Sequence, residues 1–372
     1  MKIICKKSSL LKSVSISLRA VPSKTTMPIL ECILIDATTN QIRFTTNDME
    51  LGIETIVDGI IEKKGMIALD AKIFYEIIRR LPDNDVTIVT DDRCNAFITC
   101  EKAKFNIPGK SGEDFAYLPI IEKEESLTIS QYTLKEMIRQ TIFSIAINEN
   151  NKLMTGELFE IKDNFLKIVS LDGHRISIRK MALKRDYENR KVVVPGKTLN
   201  EISKILSGEI DDQVSIFFTK NHILFEFDNT MVVSRLIEGE YFRIDQMLSS
   251  DYETKLTINK KEFLNCIDRA TLLVREGDKK PIVINITDNK MELKIDSVMG
   301  SMNEDIDIQK DGKDILIGFN PKFLIDALKV IDEEEIVMYL VNPKAPCFIR
   351  DKEENYTYLI LPVNISQNQS RY

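Results

Sequence analysis

The chain has 372 residues, 43% of them hydrophobic and 29% charged, with a formal net charge of −7. Its length calls for two or three domains, its composition is that of a soluble globular protein, and no apolar run reaches the roughly 18 residues of a membrane span. The start "MKIICKKSSLL" lacks the apolar stretch of a signal peptide, and six scattered cysteines with only two histidines argue against a disulfide framework or a transition-metal site, so a reducing cytoplasm is the expected compartment.

In chain order, the strand "MKIIC" leads into a predicted helix over 8–21, and the alternating strands "ILECILIDA" and "QIRFTTND" follow. "MIALD" leads into a helix over 71–81, apolar at Phe74, Ile77, Ile78 and Leu81, and then the strand "VTIV". After a polar connector near Lys123–Ser126, "SLTIS" opens a helix over 131–144, with the strands "GELFEIK" and "FLKIVSLD" beyond it. "KVVVP" precedes a helix over 197–206, apolar at Leu199, Ile202 and Leu206, and "VSIFF" follows. A second connector near Ser249–Lys255 leads to "KLTIN", a helix over 260–274, and the strands "IVINITD" and "KMELKID". "DILIGF" opens the last helix, 321–331, apolar at Leu324, Ala327, Leu328 and Ile331, and "IVMYLV" follows.

The chain thus states one unit three times. Lys72, Lys197 and Lys322 recur at a constant interval of 125 residues, as do Phe74, Leu199 and Leu324, and Arg79, Lys204 and Lys329. The expected architecture is α+β: three repeated domains over 1–124, 125–250 and 251–372, each with two helices on antiparallel sheets.

Charge follows the same plan. The six predicted helices hold 14 Lys and Arg against 6 Asp and Glu, so +8 sits on helices and −15 on everything else. Lys12 and Arg19, Lys72 and Arg79, Lys197 and Lys204, and Lys322 and Lys329 are each seven apart, nearly two turns, which stacks each pair on one helix face. A single such face is an ordinary solvated surface. Six that all lean basic inside an acidic chain suit sequence-blind phosphate contact with a duplex. No aromatic platforms for single strands accompany them.

Catalytic readings do not assemble. "PGKS" at 108–111 and "PGKT" at 195–198 carry Lys104 and Lys191 where a phosphate loop needs its first glycine. "IDEEEI" (Ile331–Ile336) reads as a charged turn, though paired carboxylates leave a phosphoester hydrolase as an alternative. The stretch "SLDGHRISI" (Ser170–Ile178) contains one of the two histidines, but Asp-Gly between two strands is a hairpin signal, so His174 is expected beside a turn and not in proton chemistry. No catalytic residue, metal or cofactor is expected. A peptide-binding scaffold without a DNA role is the other alternative to a DNA-holding protein.

The whole chain resembles the bacterial beta sliding clamp family, the processivity subunits of DNA polymerase III. The resemblance rests on the triple repeat, "MPIL" (Met27–Leu30), "LDGHRISI" (Leu171–Ile178), "VVVPGK" (Val192–Lys197), "IGFNPKFLIDAL" (Ile317–Leu328) and "LILPV" (Leu359–Val363). It implies a head-to-tail homodimer, a closed ring of six domains with its helices toward encircled duplex DNA. It also implies a groove for short peptides of the replicative polymerase, the clamp loader, repair polymerases, ligase and mismatch-repair proteins. The groove positions are Met154, Leu171, Gly173, His174, Arg175, Ile176, Phe242, Gln246 and Met247, with Pro346, Leu361, Pro362 and Val363. His174 and Arg175 would be its walls and hydrogen-bond donors. The DNA-facing set is Lys12, Lys24, Lys72, Arg79, Lys135, Arg139, Lys197, Lys204, Lys322 and Lys329, and the subunit contact is Phe105 and Ile107 against Leu272 and Leu273. The chain departs from the family at "EGEYFRI" (Glu238–Ile244): Phe242 stands at a usual proline and Gln246 at a frequent arginine. Its tail "NISQNQSRY" is polar.

Overall fold

The computed structural model describes residues 1–147, 151–249, 251–274 and 280–365. Most of the polar tail lies outside the described residues. The first repeat runs β1 (Lys2–Lys6), α1 (Lys7–Ser17), β2 (Cys32–Asp36), β3 (Ile42–Asn47), β4 (Leu51–Val57), β5 (Gly59–Lys63), β6 (Met66–Asp70), α2 (Ala71–Arg80), β7 (Asp85–Thr90), β8 (Asn95–Cys100) and β9 (Ala103–Pro108). The second runs β10 (Ser126–Ser130), α3 (Gln131–Arg139), β11 (Gly156–Lys162), β12 (Phe165–Leu171), β13 (Arg175–Ala182), β14 (Arg190–Pro195), α4 (Gly196–Ile205), β15 (Gln213–Phe218), β16 (His222–Phe227) and β17 (Thr230–Arg235). The third runs β18 (Thr254–Asn259), α5 (Lys260–Thr271), β19 (Ile282–Thr287), β20 (Lys290–Ser297), β21 (Gly300–Asp307), β22 (Gln309–Gly312), β23 (Ile315–Phe319), α6 (Pro321–Val330), β24 (Glu335–Leu340), β25 (Cys347–Arg350) and β26 (Tyr356–Ile360).

All six expected helices form, and the apolar positions read from α2, α4 and α6 are all buried. Side chains just before the first turn start three of them: Asp70, Asn259 and Asn320 accept from the backbone N–H of Ile73, Glu262 and Lys322 at 2.8–3.0 Å. α5 ends at Thr271, three residues short of its expected end, and two helices stop earlier still. α1 ends at Ser17, where Ser17 Oγ donates to the Ser13 carbonyl at 2.9 Å, and α3 ends at Arg139, just before Thr141 Oγ1 donates to the Met137 carbonyl at 2.7 Å. Such back-bonding competes with the backbone ladder. A short 3-10 turn follows each.

The chain divides into two compact units, Met1–Lys135 with Lys197–Leu236, and Glu136–Gly196 with Ile237 onward. The first holds a sheet ordered β5-β1-β7-β8-β9 and a second ordered β10-β15-β16-β17-β4-β3-β2-β6. The other holds β14-β11-β12-β13-β26-β25-β24-β18-β22 and β21-β20-β19-β23. In each unit one sheet joins two repeats edge to edge. The first five residues of β4 pair with the first five of β17, from Leu51↔Ser234 to Thr55↔Thr230. The first five of β13 pair with β26 in the same way, from Arg175↔Ile360 to Arg179↔Tyr356. β9 and β21 stand at open sheet edges.

Candidate partner groove and basic helix faces

The stretch that begins at Ser170 folds as a hairpin. Asp172 Oδ1 accepts from the backbone N–H of His174 at 3.0 Å and of Arg175 at 3.1 Å, an Asx turn that closes the tip. Gly173 takes φ +83°, the left-handed region, which explains a glycine at that position. His174 is exposed and its ring stacks on Phe323, with centroids 6.1 Å apart. No carboxylate orients the imidazole among the described residues, so the arrangement has none of the geometry of a general base.

The hairpin pairs with the end of the chain: Ile176 lies opposite Leu359, and the Leu361 N–H donates to the His174 carbonyl at 2.9 Å. The Val363 N–H in turn donates to the Gly318 carbonyl at 2.9 Å, tying the terminal segment down beyond its strand. An apolar cluster forms here from Leu158, Leu171, Ile176, Phe348 and Leu359, with Met154 and Phe242 packed against it. Met247, Leu361 and Val363 remain 51%, 37% and 38% exposed, while Pro346 and Pro362 are half-buried. Of the expected groove positions, Met154, Leu171, Ile176 and Phe242 thus share one apolar cluster, and Leu361 lies beside His174. Phe242, where the family favours proline, stacks edge-on against Tyr241 at 5.5 Å. With Gln246 it borders a cavity of about 440 Å³ that also takes in Glu160, Lys167 and Lys191.

One expected role is corrected. Arg175 is not a wall residue open to a peptide, because its side chain is buried and each of its three nitrogens donates inside the fold. Nε donates to Asp172 at 2.9 Å, Nη1 to Asp326 at 2.7 Å and Nη2 to the Phe143 carbonyl at 2.5 Å. The same group lies 4.4 Å over the Phe323 ring. Phe323 and Asp326 thus belong to the site although the sequence pattern does not single them out. Both lie off the apolar stripe of α6, and only the turn that Arg175 makes brings them in.

Eight of the ten expected DNA-facing cations are exposed. The other two are corrected. Lys135 is half-buried and donates to the Leu206 carbonyl at 3.2 Å, and Arg139 is half-buried between Glu136 at 2.6 Å and Asp332 at 2.9 Å. Both are less accessible than the other eight, of which Arg79, Lys197 and Lys204 are themselves ion-paired. Of the four residues expected at a subunit contact, Phe105 is 39% and Leu272 79% exposed, while Ile107 and Leu273 are half-buried. Phe105 borders a cavity of about 350 Å³ with Lys72, Ile73, Glu76, Ile77 and Arg80. Among the described residues no cluster of side chains suited to a metal occurs, and no helix is long and apolar enough to cross a membrane.

Three repeats of two helices on antiparallel sheets, joined edge to edge by β4–β17 and β13–β26, define a protein of the DNA-clamp class. The comparisons agree. The N-terminal, central and C-terminal domain families of the DNA polymerase III beta subunit match residues 1–119, 128–242 and 245–364 in turn. A beta sliding clamp of Staphylococcus epidermidis is 34% identical over 98% of this chain and 99% of its own. The crystal structure of a putative DNA polymerase III beta subunit from Eubacterium rectale is 70% identical with a TM-score of 0.96, covering 98% of this chain and all of its own. That of the DNA polymerase sliding clamp from Bacillus subtilis is 34% identical, with a TM-score of 0.95 and the same coverage. The chain belongs to the DNA polymerase III beta subunit family, the beta sliding clamps, and its role is that of a processivity clamp.

Proposed function

We propose that two copies of this chain close head to tail around duplex DNA, and that the groove beside His174 holds short peptides of the polymerase and of other replication and repair proteins. The protein performs no chemistry in this reading. It tethers, with three domains over 1–124, 125–250 and 251–372, in the cytoplasm. The observation that carries the proposal is the repeated seam. β4 against β17 and β13 against β26 share one register, and the elements left over by the same rule are β9 and β21, both at open edges. An open edge is a template for a further strand, and a seam of this kind between copies is heterologous, so it closes into a ring when the rotation allows. Carrying the register across sets the first five residues of β21 against those of β9, with Met302 opposite Phe105 and Gly300 opposite Ile107. Leu273 supports the placement, since its Cδ2 comes within 3.9 Å of where a Cβ on Gly300 would stand.

The exposed cations Lys12, Lys24, Lys72, Arg79, Lys197, Lys204, Lys322 and Lys329 are the DNA-facing set in this reading. Phosphate contacts of this kind position a duplex without reading it, which suits sliding. The test is retention: the protein is loaded on circular DNA and the DNA is then cut. Release on linearisation, with retention on the intact circle, is the expected result. Equal retention on both forms would replace topological holding with ordinary binding.

A further inference from the structure

Three helices in one register each carry an acid three residues before their second base: Glu76 before Arg79 in α2, Glu201 before Lys204 in α4, and Asp326 before Lys329 in α6. Residues three apart on a helix are neighbours, so each acid is placed to neutralise its base. In α2 it does so, with Glu76 2.8 Å from Arg79 and 2.8 Å from Arg80. In α4 it does so again, with Glu201 2.7 Å from Lys204 and 3.5 Å from Arg19. In α6 it does not. Asp326 is held at 2.7 Å by Arg175 of the groove hairpin, and among the described residues Lys329 has no acidic partner. Of the first bases, Lys197 pairs with Asp48, whereas neither Lys72 nor Lys322 has such a partner among the described residues. α6 is thus the helix of the three on which both bases of the seven-residue pair are free.

We infer that Arg175 sets the phosphate contact of α6 from a distance: by holding Asp326 it keeps Lys329 free for DNA. This rests on the reading that the helix faces meet duplex DNA. A lysine already paired with a neighbouring carboxylate must give up that pair to neutralise a phosphate. A free lysine releases a DNA counterion outright. Without Arg175, the partly exposed Asp326 has two helical neighbours of opposite charge, Lys329 three residues on and Lys322 four residues back, and the equivalent acids of α2 and α4 both pair with the base three residues on. Arg175 therefore acts as a positioning residue, buried and spent on the groove hairpin, whose effect reaches DNA only through Asp326 and Lys329.

The experiment is the salt dependence of equilibrium binding between the full-length protein and a linear duplex, where the logarithmic slope changes by about 0.9 per phosphate neutralised. Lys329→Ala is expected to flatten the slope by about that amount. Arg175→Gln is expected to flatten it as much in the parent protein and not at all in the Lys329→Ala background, and adding Asp326→Asn to Arg175→Gln should restore it. An unchanged slope in Lys329→Ala would overturn the DNA-facing reading of α6 itself. A flattened slope in Lys329→Ala, with Arg175→Gln acting alike in both backgrounds, would overturn the coupling and leave that reading standing. Should Arg175→Gln fail to fold, Glu201→Gln and Asp326→Asn decide between themselves. Steepening in Glu201→Gln alone supports the coupling, since only there is a base released, and equal steepening in both overturns it.

Discussion

At the scale of single residues, two glutamates on one strand meet opposite fates. Glu160 lies between Lys167 at 2.5 Å and Lys191 at 2.6 Å; burial alone would raise its carboxyl, but the two ammonium groups hold it below its ordinary value. Glu157, three residues earlier, points to the other face of β11 with Phe159 and Ile161, fully buried, and neither of its oxygens has a hydrogen-bond partner among the described residues. Burial pushes its carboxyl up to about 8, with the Thr141 hydroxyl beside it giving slight relief. The folded value lies above the ordinary 4.5, so Glu157 favours the fold most below pH 4.5 and loses that contribution as pH rises toward 8. Glu157→Gln should therefore flatten the fall of Tm between about pH 5 and pH 8. It should be the more stable protein at the upper end by a few kcal/mol, since each tenfold change in proton affinity is worth about 1.4 kcal/mol. Parallel melting profiles for the two proteins would refute this. The alternation of "GELFEIK" sets one acid on each face of the strand, and both are buried. That Glu160 meets two lysines and Glu157 meets none depends on the neighbouring elements and is not legible in the stretch itself.

Among the elements, the hairpin tip shows what short-range sequence can and cannot say. Asp-Gly fixes the turn through local chemistry alone, so the turn was legible. The fate of Arg175 depends on Asp326, 151 residues away, and was not. Gly173 has nothing within 4 Å of an added Cβ, so Gly173→Ala is strained by its backbone angle and not by crowding. It should cost roughly 1–2 kcal/mol of stability and weaken a polymerase-tail peptide modestly, as read by thermal melts and peptide titration. An unchanged melt would mean that the turn relaxes. Leu361 is a rim side chain of the groove, and apolar anchors at such sites cost about 2 kcal/mol or more on truncation. Leu361→Ala should thus weaken the same peptide more than His174→Ala does. The reverse order would move the peptide's anchor to the histidine side of the groove. The early ends of α1 and α3 belong here too. Apolar spacing continues past Ser17 and Arg139, where hydroxyls of Ser17 and Thr141 bond back to the preceding turn, and periodicity does not register the ends.

For the whole molecule, the triple repeat was legible because each copy preserves its helix register. The seams between repeats were not, because a strand carries no mark of its partner beyond its own alternation. Leu272 and Leu273 are apolar just past the end of α5; Leu272 is largely exposed and Leu273 lies close to the open edge of β21. Charged substitutions at both should give folded monomers in sedimentation, with an unaltered melt of each chain. A dimer of unchanged mass would move the subunit contact elsewhere. The register itself is open to test. Phe105→Cys with Met302→Cys should join two chains under mild oxidation, because directly opposite residues bring their Cβ atoms to about 4.5–5.5 Å. Cross-linking from Phe105→Cys to a cysteine two positions along β21 instead would correct the register and keep the edge.

Connectivity gives the seams unequal strength even where their hydrogen bonds match. The β4–β17 and β13–β26 pairings form within one chain, where the linking polypeptide holds the edges at an effective concentration in the millimolar range for short tethers. A β9–β21 pairing between chains has no tether and draws only on the concentration of free protein. In the proposed ring, three seams of one design therefore differ in how they answer dilution, and the untethered one should open first. A door in such a ring needs no special hinge. It lies wherever two edges meet with no peptide link behind them, so fusing two copies through a linker from the end of one to the start of the next would seal one door and leave the other as the single point of entry.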